Sequence, residues 1–313
     1  MRAMLVAAGL GTRLAPLTDL LPKPAVPLAN RPAAAYMMEH LVGAGICDMV
    51  ANSFHLADSL QVELEGHVPQ GAQLAFVREQ ELLGTGGGVK NAIHPQPGED
   101  VVIANAKLLF APNLAAAISM HQQSGALATM VLRSVPPGSP YGAVDVDSEG
   151  RVHRILDRSP TAAAGLTRCM FTGVHLLSAE AHHRLPERGC TIRDGYVRWL
   201  EQGAFITSVL DDGLFVDVGQ SLAVYHSANM DLCAGVFPWS SVQSDSSGSV
   251  VHASAEVGPG ARIEASAVGA GVRIAAGVRV QRAVVWPGSH VTRDICDCII
   301  TPKHILSRQA IYG

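Results

Sequence analysis

From Val251 onward the chain repeats itself. Val251, Val257, Ile263, Val268, Ile274 and Val280 recur at spacings of six, six, five, six and six, with small residues and glycine between them. A hexapeptide period of branched apolar residues is the mark of a parallel β-helix, in which each hexad supplies one short side of a coil. About six hexads precede WPGSHV (286–291), which predicts about two coils. So short a solenoid has apolar ends, so it is expected to dock on the rest of the chain or on a second copy, giving a homo-oligomer. The polar stretch PWSSVQSDSSGS before it reads as a Ser-rich linker over 238–249. The chain is thus expected to divide into 1–237, a linker at 238–249, and a hexapeptide tail at 250–313.

Before the linker the pattern is different. Apolar runs at 4–8, 47–53, 73–79 and 100–105 read as strands, and helical periods at 31–45 and 56–66 separate them, with GGGVKNAI (86–93) opening a further helix. Strands alternating with helices at this spacing argue for a parallel, doubly wound sheet. A second portion, 126–175, is richer in strands and is expected to extend the sheet and wall a cleft.

Composition narrows the function classes. A formal charge of −4 on 313 residues, with no basic run, offers no general attraction to nucleic acid or to an anionic membrane. No stretch approaches the ~18 apolar residues a membrane span needs. The six cysteines are scattered without a C-x-x-C pair, and the thirteen histidines lack metal-binding spacing. Free thiols in a reducing cytoplasm are the expected state.

The segment AAGLGTRLAPLTDLLPKPAVPLANRP (7–32) follows a strand and precedes a helix, where phosphate-binding loops lie. It lacks the third glycine of a dinucleotide fingerprint and has no Walker loop. What it offers is glycines that admit a phosphate close to the backbone, with Arg13 and Lys23 as cations. Arginine forks onto phosphate oxygens and lysine acts as a point charge. Pro22 and Pro24 stiffen the chain around Lys23.

G-x-G-T-R-L-x-P-L-T followed by P-K-P resembles the signature of the sugar-1-phosphate nucleotidylyltransferases. LLGTGGGV (82–89), YGAVDVD (141–147), FTGVHLLS (171–178) and FVDVGQSLAVYHSAN (215–229) resemble further stretches of that family, in its order. The resemblance implies a doubly wound, Rossmann-like mixed sheet, the nucleotidyltransferase fold, followed by a short left-handed parallel β-helix. It implies attack by a sugar-1-phosphate oxygen on the α-phosphorus of an NTP, giving an NDP-sugar and pyrophosphate. Catalysis would then rest on positioning and charge neutralisation. By resemblance Gly11, Thr12 and Arg13 cradle the triphosphate, and Lys23 neutralises the α-phosphate. Ala8, Gly9, Gly84 and Thr85 line the base pocket, and Gly142, Thr172 and Gly173 the sugar side. Base and sugar stay open. The opening half looks most like bacterial relatives acting on mannose-, N-acetylmuramate- or heptose-type phosphates.

Two positions depart from the family. Its Mg²⁺ usually sits between two aspartates. Asp217 matches one, while the resemblance sets Lys107, in VVIANAKLLF (101–110), where the other is expected. Three accounts of Lys107 are open: an inactivating change, an ammonium standing in for metal charge beside Asp217, or a plain surface residue. The family's E-K-P is replaced by Asp157 and Arg158 of ILDRSP, which keep the charge signs for a sugar phosphate. The alternative to nucleotidyl transfer is therefore a weak or inactive nucleotide-binding homologue with a regulatory or scaffolding role. A third reading, an acyltransferase tail, is disfavoured by the short solenoid.

Overall fold

The computed structural model describes residues 1–135, 143–158, 165–237 and 239–313. Among these, nine strands form the main sheet. Its parallel half runs Gln73–Arg78, Asp48–Ser53, Arg2–Val6, Val101–Asn105, each hydrogen-bonded to the next. The long strand Thr167–Leu177 then pairs antiparallel with Val101–Asn105, Ala128–Ser134 and Ala143–Val146. Val152–Ile155 and Ile206–Leu210 complete the edges. The sheet is thus mixed and parallel-dominated at its centre, as the alternating pattern and the resemblance predict.

The parallel strands are apolar on both faces because helices cover both. Ala33–Gly43 and Ala57–Glu65 lie on one side, where Met37, Met38, Leu41 and Leu60 meet Leu5, Ala51 and Val102. Gly84–Ala92 lies on the other, where Val89 and Ala92 meet Met4 and Ile103. The strand-rich portion extends the sheet as expected, and Thr167–Leu177 runs longer than its apolar core FTGVHLL suggests.

The tail is a set of stacked short parallel strands. Val250 pairs with Ala267 and Ala267 with Val284; Glu256 pairs with Arg273 and Arg273 with His290. The register step of 17 residues in each case is the sum of six, six and five, so each turn consumes three hexads with one residue missing. This agrees with a β-helical coil. The stacks extend beyond the two turns expected, because Ile295–Ile300 adds a further layer. That layer was hidden by the polar residues Gln281, Arg282 and Asp294, which break the hexad rhythm.

The stacked strands pack on the earlier part of the same chain. Trp286, Val284, Ile299 and Ile311 share one buried cluster with Leu14, Leu17, Leu28, Tyr36 and Tyr225. The Trp286 Nε1–H donates to the Tyr225 hydroxyl at 2.9 Å, which in turn donates to the Pro27 carbonyl at 2.6 Å. Asn30 Nδ2 donates to the carbonyls of Val250 and Val268. The Ser-rich segment is tied down as well, with Ser244 donating to the Cys233 carbonyl at 2.6 Å.

Candidate active site

The register of three parallel strands brings their carboxyl ends to one edge. Val6 lies beside Asn105, and Leu5 beside Ala51, so the loop after Val6 shares this edge with Asn52 and Asn105. In open α/β sheets such an edge is where ligands bind. The Ala7 and Ala8 N–H groups both donate to Asn52 Oδ1, at 2.7 and 3.2 Å. Gly11 then turns with φ +78°, and a Cβ there would lie 2.7 Å from Thr18 Cγ2. Only glycine suits that close, left-handed turn.

A second loop closes over the first. Asn52 Nδ2 donates to Glu79 Oε1 at 2.7 Å, and the Leu83 N–H donates to Glu79 Oε2 at 3.1 Å. Asn52 and Glu79 are both buried, so this bridge ties the loop at 7–8 to the loop at 82–85. Gly84, with φ +76°, lies against the Gly189 carbonyl, and the Gly86 N–H donates to that carbonyl at 2.8 Å. The Thr191 N–H donates to Thr85 Oγ1 at 3.0 Å.

Between the loops is a cleft of about 500 Å³. Ala8, Gly9, Gly11, Thr12, Arg13 and Thr85 line it, together with Lys23, Asn105 and Lys107. Gly84 does not line the cleft; it makes the turn against Gly189. Sequence reasoning missed Asn52 and Glu79. The available signal was a polar Asn inside the otherwise buried run DMVANS.

Lys107 is brought to Asp217 by a two-strand ribbon. Leu108–Phe110 pairs antiparallel with Phe215–Asp217, and the Val218 N–H donates to the Lys107 carbonyl at 3.2 Å. Lys107 Nζ then lies 2.7 Å from Asp217 Oδ2, with both side chains about four-fifths buried. Asp217 Oδ1 accepts the Gly219 N–H at 2.9 Å, and Lys23 Nζ donates to the Gly219 carbonyl at 3.1 Å. A Cβ on Gly219 would lie 2.8 Å from Lys107 Cδ and 3.1 Å from Lys23 Cδ. Lys107 is therefore not a plain surface lysine. Burial, then the neighbouring charges of Lys107 and Arg13, lower the Lys23 pKa to about 8, against a smaller upward pull from Asp217.

The residues present do not fit a Mg²⁺ ion at Asp217. That ion takes hard oxygen ligands, usually one or two carboxylates beside substrate phosphates and water. Among the described residues Asp217 is the carboxylate placed here, and where a second would be expected it meets the Lys107 ammonium. Among the described residues no cluster of three His, Cys, Asp or Glu side chains forms a metal centre. A divalent ion at this spot would meet the repulsion of the Lys107 ammonium along with the attraction of the carboxylate.

The residues expected on the sugar side are more scattered. Gly142 lies outside the described residues. Thr172 is buried and its hydroxyl donates to the Val131 carbonyl at 2.7 Å. Gly173, with φ +90°, sits against Asn105, where a Cβ would meet Nδ2 at 2.2 Å. Asp157 and Arg158 form an exposed turn that does not line the cleft. The Asp157 carboxylate is instead held by Arg168 at 2.5 Å. A hollow of about 280 Å³ on the other side of Asp217 is lined by Arg133, Met170, Phe215 and Gln220. Arg133 was overlooked in the sequence, though a cation near the end of the strand LATMVLRSV was visible there.

Comparison with known proteins bears on the family and the fold. A family model described as nucleotidyl transferase matches residues 2–234. A mannose-1-phosphate guanylyltransferase of Mycobacterium tuberculosis is 27% identical over 293 residues, covering 92% of this chain and 80% of that protein. A UTP--glucose-1-phosphate uridylyltransferase of Synechocystis is 27% identical over 235 residues, covering 70% of this chain and 60% of its own length. Among solved structures, HddC from Yersinia pseudotuberculosis superposes with a TM-score of 0.61 at 22% identity, covering 73% of this chain and 97% of that one. At that identity the likeness shows the fold.

Proposed function

The chain belongs to the nucleotidyl transferase family, and from that premise we propose that it transfers a nucleotidyl group from an NTP to a sugar-1-phosphate, releasing pyrophosphate and an NDP-sugar. The observation that carries this reading is the cleft in which the glycine loop, Arg13 and Lys23 converge on one sheet edge. The loop backbone and Arg13 hold the triphosphate, and Lys23 neutralises the α-phosphate as the sugar phosphate attacks. Reaction then follows from alignment and electrostatic stabilisation, with no covalent enzyme intermediate. On the sugar side, Gly173 packs against Asn105, which lines the cleft, and Arg133 lines a hollow suited to a phosphate.

GTP with mannose-1-phosphate is the first pair to test, given the mycobacterial relative. The experiment is pyrophosphate release across the four NTPs and a panel of sugar-1-phosphates, with and without Mg²⁺. No turnover in any combination refutes catalysis.

A second reading is favoured by one observation. The engagement of both Asp217 oxygens supports a nucleotide- or NDP-sugar-binding protein without turnover, in a regulatory or scaffolding role. Nucleotide binding without product would decide for it. We also propose a cytoplasmic place for the protein, supported by its free cysteines, and self-association through the tail, which sedimentation with and without residues 245–313 tests.

A further inference from the structure

Three cations and one carboxylate meet at the mouth of the glycine loop. Arg13, Lys23 and Lys107 line the cleft, and Asp217 is the carboxylate paired with one of them. Asp217 does not cancel the site so much as hold it in shape. Its Oδ2 fixes the Lys107 ammonium at 2.7 Å, and its Oδ1 fixes the Gly219 backbone. The Gly219 carbonyl in turn holds the Lys23 ammonium at 3.1 Å. Gly219 lets both lysine stems pass, since any Cβ would press on each. Both lysine stems thus pass beside one glycine, and both lysines line the cleft with the loop that follows Val6.

A bound polyanion finds here fixed cations, and the carboxylate beside them among the described residues is already paired with an ammonium. We infer that the cleft takes a triphosphate as the metal-free polyanion, with Lys107, pinned by Asp217, supplying beside Lys23 and Arg13 the positive charge that binding requires. This rests on the reading of the cleft as a nucleotide site. Mg²⁺ is then a competitor for the phosphate oxygens rather than a partner, because it lowers the ligand's charge and is repelled by Lys107.

Calorimetry on the full chain tests this with inorganic tripolyphosphate and with each of the four NTPs, in EDTA and in excess MgCl₂. The expected result is binding in EDTA that excess Mg²⁺ weakens. Lys107→Ala is expected to lower the EDTA affinity about tenfold or more, the usual weight of a charge-assisted contact. Lys107→Asp sets two carboxylates together and is expected to abolish binding in EDTA and to recover it at least about tenfold on adding Mg²⁺. Binding of wild type that appears only with Mg²⁺ overturns the inference and leaves the nucleotide reading intact. A Lys107→Asp protein that binds no more Mg²⁺-dependently than wild type overturns it as well. Absence of binding to tripolyphosphate and to every NTP, in both buffers, removes the nucleotide reading and the inference with it. The wild-type comparison needs no variant, so it stands even if Lys107→Asp fails to fold.

Discussion

Lys107 Nζ and Asp217 Oδ2 lie 2.7 Å apart although 110 residues separate them in the chain. The pair is made by the ribbon of Leu108–Phe110 with Phe215–Asp217, which sets Leu108 opposite Asp217. Its strength is open to direct measurement. Because both side chains keep about a fifth of their exposure, the coupling should be modest. A double-mutant cycle of Lys107→Ala and Asp217→Ala, read by urea unfolding, is expected to give about 1 kcal/mol. A coupling of zero would mean that desolvation and side-chain ordering offset the whole attraction of the pair.

Lys23 gives the site a pH dependence. Its pKa is lowered to about 8, first by burial and then by Lys107 and Arg13. The ammonium is therefore charged below pH 8 and is lost as pH rises through that value. Triphosphate affinity should fall above pH 8, and binding near pH 8 should take up a proton, because a bound anion favours the charged form. Lys23→Arg keeps its charge throughout, so its affinity profile should be flat over this range. Titrations in buffers of different ionisation enthalpy measure the proton uptake.

Asn52 is expected to hold the two cleft loops in place. Asn52→Ala leaves the Ala7 and Ala8 N–H groups and the Glu79 carboxylate without their partner. The expected loss of stability is about 2–4 kcal/mol, from stranded polar groups in a buried setting. Nucleotide affinity should fall as well, though Asn52 does not line the cleft. Unchanged affinity in the folded variant would confine Asn52 to a stability role.

Trp286 joins the tail to the main domain through Tyr225. Trp286→Ala should cost about 3–5 kcal/mol, as for other large buried side chains. Removal of residues 245–313 would strip the cover from Tyr225 and Leu28, which share the Trp286 cluster. The shortened chain should then melt earlier and less cooperatively than the full one, which calorimetric scanning checks.

His175 is buried beside Tyr196, and burial lowers its pKa to about 3. The unfolded chain takes up this proton near pH 6.5 and the folded chain does not. Stability from this group is thus fully present above pH 6.5 and is lost as pH falls toward 3, by at most about 1.4 kcal/mol per pH unit. His175→Gln, which cannot titrate, should show a shallower acid limb in denaturant midpoints. A limb of unchanged slope would locate the acid sensitivity elsewhere.

Much of the architecture was readable in the residues. The alternation of apolar runs with helical periods marked the parallel strands to within a few residues, and spacings of six, six and five already stated the 17-residue turn of the tail. The loop at 7–32 announced phosphate chemistry because glycine spacing and fixed cations are local properties. The number of turns in the tail was less legible, since the polar Gln281, Arg282 and Asp294 mask the rhythm just where Ile295–Ile300 adds a layer.

The bonds between distant polar groups were not readable. Nothing local in DMVANS says that Asn52 will accept from Ala7 and Ala8 while giving a hydrogen bond to Glu79. Nor does ILDRSP say that Asp157 will be captured by Arg168, away from the cleft. Periodicity encodes which face of an element is buried, because burial repeats with the geometry of that element. Which polar side chains then meet depends on strand order and register, and only the folded sheet sets those. Sequence could place Lys107 and Asp217 in one site by resemblance. It took the antiparallel pairing of two three-residue strands to set the ammonium against the carboxylate.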